Sequence, residues 1–123
     1  MLLLTERDKQ VFVAALHERL TAAVDNLPDE ALLGSVTVFD GGLRVVLNRA
    51  GMAFRQTFTD VFYNSETREI RCSTLNSAPY MLRFCVTPDH KAAVTSTRGA
   101  TQMDADQAAQ HILGIMLDVM NRK

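Results

Sequence analysis

Arginines and carboxylates on strand-forming sequence are the residues that could do chemistry in this chain. Arg44, Arg55, Arg71 and Arg83 recur through a stretch whose apolar residues alternate with period two. That spacing puts all four on one face of an antiparallel sheet. A guanidinium grips carboxylates and phosphates through a planar fork of donors. Thr57, Thr59, Ser73, Thr87, Thr95 and Thr97 lie between the arginines, and Glu69 is the one carboxylate expected there. Such a face suits a protein partner or another anionic surface. Arg44 is expected directly opposite Arg55, where like charges repel unless an anion neutralises them. A solvated face kept soluble by arginine and threonine is the plainer reading of the same residues.

Asp60 is the second candidate. Phe54, Gln56, Phe58, Asp60 and Phe62 occupy alternate positions of one strand, so the apolar pattern turns Asp60 towards the core, opposite Cys72. An unpaired buried carboxylate costs several kcal/mol or takes up a proton. Asp60 and Gln56 would then line a pocket between sheet and helices, as a base or ligand anchor. A β-bulge near Thr59 is the alternative, since it would turn Asp60 outward.

No other chemistry assembles. His17, His90 and His111 fall on separate elements, and neither His-x-x-x-His nor Cys-x-x-Cys occurs. No metal site or cofactor is expected on that spacing. Cys72 and Cys85 fall on opposite faces of adjacent strands, which disfavours a disulfide, and no base accompanies Cys85 as a nucleophile. Gly41-Gly42 joins strand to strand, with no Lys-Ser/Thr after it, so it is not a phosphate loop. Only Phe39 and Tyr63 could stack near the arginine face, which argues against single-stranded nucleic acid.

The elements that position these residues follow from periodicity. Residues 5–27 form a helix: Thr5 can cap it, and Phe12, Val13, Leu16, Leu20, Ala23, Val24 and Leu27 fall within an arc of about 120°. Pro28 starts a short helical turn that Gly34 ends. Six strands follow, Ser35–Asp40, Leu43–Asn48, Met52–Asn64, Arg68–Asn76, Tyr80–Thr87 and Lys91–Arg98, joined by short Gly, Pro, Asn and Ser turns. Short connections make an antiparallel meander. A second helix spans 103–121, capped by Thr101 or Asp104, with an apolar arc of roughly 200°. An arc that wide needs cover on two sides, from the sheet and from the first helix or a second subunit. The expected fold is α+β in two layers, with both helices on one face of the sheet.

The chain has 123 residues, one domain's worth, with 13 basic and 14 acidic groups and a net charge of −1. Residues 35–98 carry +3 and the flanks are acidic, which excludes a histone-like polycation and an acidic tail protein. The apolar start is four residues long, too short for a signal sequence, and no run approaches a membrane span. Two cysteines in such a chain indicate a reducing cytoplasm. Two-layer helix-and-sheet proteins that act as dimeric secretion chaperones are broadly similar in architecture. They usually carry a helix between their third and fourth strands and are more acidic, whereas Asn76-Ser77-Ala78-Pro79 here is only a turn. The similarity carries no motif and assigns no family. The expectation is a small bacterial-type, cytoplasmic, non-catalytic adaptor, homodimeric through its last helix and docking a partner on the arginine face. A small-ligand binder or enzyme built around Asp60 is the alternative.

Overall fold

The structure, a computed structural model, describes residues 6–27, 31–39, 42–49, 56–64, 69–75, 77, 79–86, 89, 91–96 and 102–121. Helix α1 (Glu6–Asp25) precedes β1 (Leu32–Phe39), β2 (Gly42–Arg49), β3 (Gln56–Asn64), β4 (Glu69–Thr74), β5 (Tyr80–Val86), β6 (Ala92–Ser96) and β7 (Gln102–Met103), and α2 (Ala105–Met120) closes the order. The sheet runs β1 to β7 in sequence order, every neighbour antiparallel. This is the expected α+β meander, with one short strand more. Thr5, His90, Arg55 and the expected strand residues Met52 and Phe54 lie outside the described residues.

Both helices lie on one side of the sheet. Phe12, Leu16, Leu20 and Val24 of α1 are buried, as the amphipathic spacing requires. Asn26 ends α1 by donating from its side chain to the Ala22 carbonyl at 2.8 Å. At α2, Asp104 and Gln107 form a capping box: the Gln107 N–H donates to Asp104 at 2.8 Å, and the Asp104 N–H to the Gln107 side chain at 3.0 Å. Ala108, Ala109, Ile112, Leu113, Met116 and Met120 are buried. The two helices pack directly on each other. So α1 supplies the second cover for α2's wide apolar arc, and no α2 residue is among the exposed large hydrophobics. The argument for a dimer through α2 therefore fails.

Two local expectations are corrected. Leu32 and Leu33 belong to β1, and Gly34 ends no helix. Gly34 lies where α1 crosses close over β1: a Cβ there would stand 2.8 Å from Val24 Cβ and 3.1 Å from Leu47 Cδ2. The first hairpin pairs Phe39 with Gly42, so Gly42 is a strand residue. A Cβ on Gly42 would collide with the Val61 carbonyl oxygen.

The largest correction concerns β3. Val45 and Leu47 oppose Thr59 and Thr57, and Val61 and Tyr63 oppose Cys72 and Ile70. Relative to expectation this strand is shifted by an odd number of residues, so every side chain changes face. Thr57, Thr59 and Val61 are in the core; Phe58, Asp60 and Phe62 are on the outer side. The energetics account for this. The expected register buries a carboxylate without a partner. The observed one buries hydroxyls, two of which, Thr59 and Thr74, share a 2.7 Å hydrogen bond. A buried charge costs more than a buried hydroxyl by several kcal/mol. The register exposes part of Phe62 in exchange.

Candidate functional site

The outer face of the sheet carries the described candidates. Arg44, Gln56, Asp60, Arg71 and Arg83 all reach it, from β2, β3, β4 and β5, because antiparallel neighbours in register share a face. Their electrostatics differ from the expectation. Arg44 lies opposite Asp60, not Arg55. It donates to both carboxylate oxygens, Nε to Oδ1 at 2.6 Å and Nη2 to Oδ2 at 3.0 Å. Its guanidinium also lies 4.5 Å from the Phe58 ring centroid. Hydrogen bonding and attraction to Asp60 raise the Arg44 pKa further. Arg83 pairs with Glu69 at 3.2 Å, directly across from it. Asp60 therefore faces outward by register, without a bulge, and lines no pocket beneath the helices. It is also a second carboxylate on this face, where Glu69 alone was expected. Gln56 is exposed at the other end of β3.

Arg71 is different. Among the described residues it has no ion pair and no hydrogen-bond partner for its side chain. It lies between Phe62 on β3 and Met81 on β5, directly opposite each. Phe62 is 42% exposed and meets Phe39 edge-to-face at 5.4 Å. This cluster of Phe39, Phe62, Arg71 and Met81 was not foreseen, because the expected register hid Phe62 inside. Thr57 and Thr59 leave the face for the core, while Ser73 and Thr95 stay on it. Thr87 and Thr97 lie outside the described residues, as does Arg55.

A cleft of about 590 Å³ opens on the opposite side, between α1 and the β1–β2 hairpin. Val13, Ala14, Val38, Leu43 and Val61 give it apolar walls, and Lys9, His17 and Tyr63 bring polar groups to it. Lys9 is only 2% exposed, which its place in the charged run Glu6-Arg7-Asp8-Lys9 at the start of α1 did not suggest. Asp60 lines no part of this cleft.

The cysteines are chemically quiet. Cys72 is buried and Cys85 half-buried on the outer side, and both are free. Burial pushes the Cys72 thiol up to about 12, with the Tyr80 hydroxyl pulling slightly the other way. Burial also raises Cys85. Both shifts disfavour the thiolate that nucleophilic chemistry needs. His111 is exposed, edge-on to Tyr80 at 5.3 Å. Among the described residues no three His, Cys, Asp or Glu groups converge as metal ligands, and no helix is long and apolar enough to cross a membrane.

The chain matches no protein-family model, and no curated protein and no solved structure gives a significant match.

Proposed function

We propose that the chain is a small non-catalytic adaptor that docks a protein partner on the outer face of its sheet, in a reducing cytoplasm. The observation that supports this is the cluster around Arg71. A guanidinium with no partner among the described residues, flanked by Phe62 and Met81 with Phe39 against Phe62, has the composition of an interface centre, where aromatic residues, methionine and arginine are enriched. Arg44 and Arg83 already hold carboxylates of their own sheet. They form a neutral rim, and the partner needs one carboxylate for Arg71 and apolar side chains for its neighbours. The partner is thus a mixed apolar and acidic protein surface, more specific than any polyanion. Salt should weaken it only modestly, since a single charge pair is involved.

The test is capture from the native host's lysate on immobilised chain, followed by titration of the captured protein. Phe62→Ser with Arg71→Glu should weaken binding by about tenfold or more. Arg83→Gln, on the rim, should leave it within about threefold. Capture that the double variant does not change returns this face to ordinary solvated surface.

The cleft supports a second reading, in which it holds a small apolar ligand whose anionic end meets Lys9 or His17. Displacement of an apolar fluorescent probe by medium-chain carboxylates, abolished by Ala14→Trp, would favour it over the adaptor.

A further inference from the structure

The two edges of the sheet are treated differently. At one edge β7 has two residues and runs at once into the Asp104 cap of α2. A short edge covered by a helix start offers nothing to pair with. At the other edge β1 has eight residues, Leu-Leu-Gly-Ser-Val-Thr-Val-Phe, paired with β2 alone among the described strands. It contains no lysine, no other charge and no proline, so it lacks the devices that keep edges from pairing. Leu33 is 59% and Val38 63% exposed. The apolar cleft opens beside Val38 and Phe39.

We propose that β1 is a dimerisation strand: it pairs antiparallel with β1 of a second copy and joins two sheets into one continuous sheet. Self-complementarity supports a second copy as the occupant. Antiparallel self-pairing sets each residue opposite its mirror position about the two-fold, and a strand without charge brings no like-charge pair together there. The residue order fits as well. In the antiparallel register centred on Val36, Leu33 faces Phe39 of the second copy, Ser35 faces Thr37, Gly34 faces Val38, and Val36 faces itself. Apolar residues meet apolar ones, and hydroxyls meet hydroxyls. Each strand's exposed Val38 end then lies beside the second copy's Gly34, over which α1 passes next to Val24. The covered half of one strand thus meets the uncovered half of the other, as an isologous two-fold contact requires. The two-fold axis is perpendicular to the sheet, so both outer faces point the same way. The dimer stands or falls independently of the docking proposal.

Sedimentation equilibrium on the full chain tests this. The wild type should sediment at twice its 13.7 kDa. Ser35 and Thr37 are exposed on the outer side of β1, so charges there leave the core intact. Ser35→Lys with Thr37→Lys sets two like-charge pairs across the two-fold and should weaken the dimer at least about tenfold, with an unchanged circular dichroism spectrum. Ser35→Glu with Thr37→Glu should behave alike. An equimolar mixture of the two variants should regain the doubled mass. A wild type that stays monomeric up to its solubility limit overturns the proposal. So does a lysine variant that dimerises as tightly, or a mixture that stays monomeric. A monomer whose β1 amides resist hydrogen exchange assigns the edge to another segment of the same chain, and overturns it too.

Discussion

Replacing Thr57 by valine should stabilise the fold, and replacing Thr59 by valine should destabilise it. The two residues are on the same strand and the same face, both essentially inaccessible. Their hydroxyls differ. Thr57 Oγ1 has no hydrogen-bond partner among the described residues, whereas Thr59 Oγ1 is 2.7 Å from Thr74 Oγ1. An unpartnered buried hydroxyl costs about 1–3 kcal/mol. Valine replaces it with a methyl of nearly equal volume, so no cavity opens and Thr57→Val should gain about 1–2 kcal/mol. Thr59→Val leaves the Thr74 hydroxyl alone in the core and should cost a similar amount. Thr59→Val with Thr74→Val removes both partners and should return to within about 1 kcal/mol of wild type. Urea melts read this out, at one fixed protein concentration because association shifts midpoints. Each kcal/mol moves the midpoint by roughly 0.5 M for a chain of this size. A Thr57→Val variant within about 0.5 kcal/mol of wild type would put Thr57 in solvent and refute the β3 register.

Gly34→Ala should cost about 1–3 kcal/mol by overpacking, since the new methyl meets Val24 Cβ at 2.8 Å and Leu47 Cδ2 at 3.1 Å; thermal melts decide it, and an unchanged midpoint would mean that α1 does not pass this close. Above pH 9 the wild type should lose stability, approaching 1.4 kcal/mol per pH unit, because the unfolded Cys72 thiol ionises near 9 and the folded one only near 12. The unfolded state then binds fewer protons, so the slope is downward. Urea melts at pH 8, 9 and 10 should show Cys72→Ala with a shallower slope than wild type, and equal slopes would contradict the burial of this thiol.

Much of the architecture was legible in the sequence, and the exceptions have physical reasons. Both helices and six strands were expected close to where they lie, because period 3.6 and period 2 separate cleanly and Thr101 and Asp104 offer caps before the second helix. On β3 the pattern misled. Phe54, Phe58 and Phe62 outweigh Val61 and Tyr63 in apolar content, so hydrophobicity alone turns the phenylalanines inward. The deciding interactions were Asp60 with Arg44 and Thr59 with Thr74. Both cross between strands and become visible only when the register is known. Opposite charges on neighbouring strands were the available signal, and pairing Asp60 with Arg44 first would have set the face correctly. At Gly34 the sequence points to a helix end because glycine commonly marks one. Its actual service, letting α1 approach β1, depends on a contact between separate elements. The Arg71 cluster was lost with the same register.

Because every strand pairs with its neighbour in sequence, the ladder needs only short loop closures. Low contact order of this kind favours rapid folding. The contact between α1 and α2 is the opposite case, since it joins the two ends of the described chain. During synthesis the whole meander can zip up behind α1 while α2 is still unmade. At about 5–20 residues per second, Val61, Ile70 and Val94, buried on strands that α2 packs against, wait seconds for it. The nascent chain therefore passes through a stage in which its sheet is finished while the part of the core under α2 is still wet, and that interval, more than the finished fold, is when it is open to aggregation.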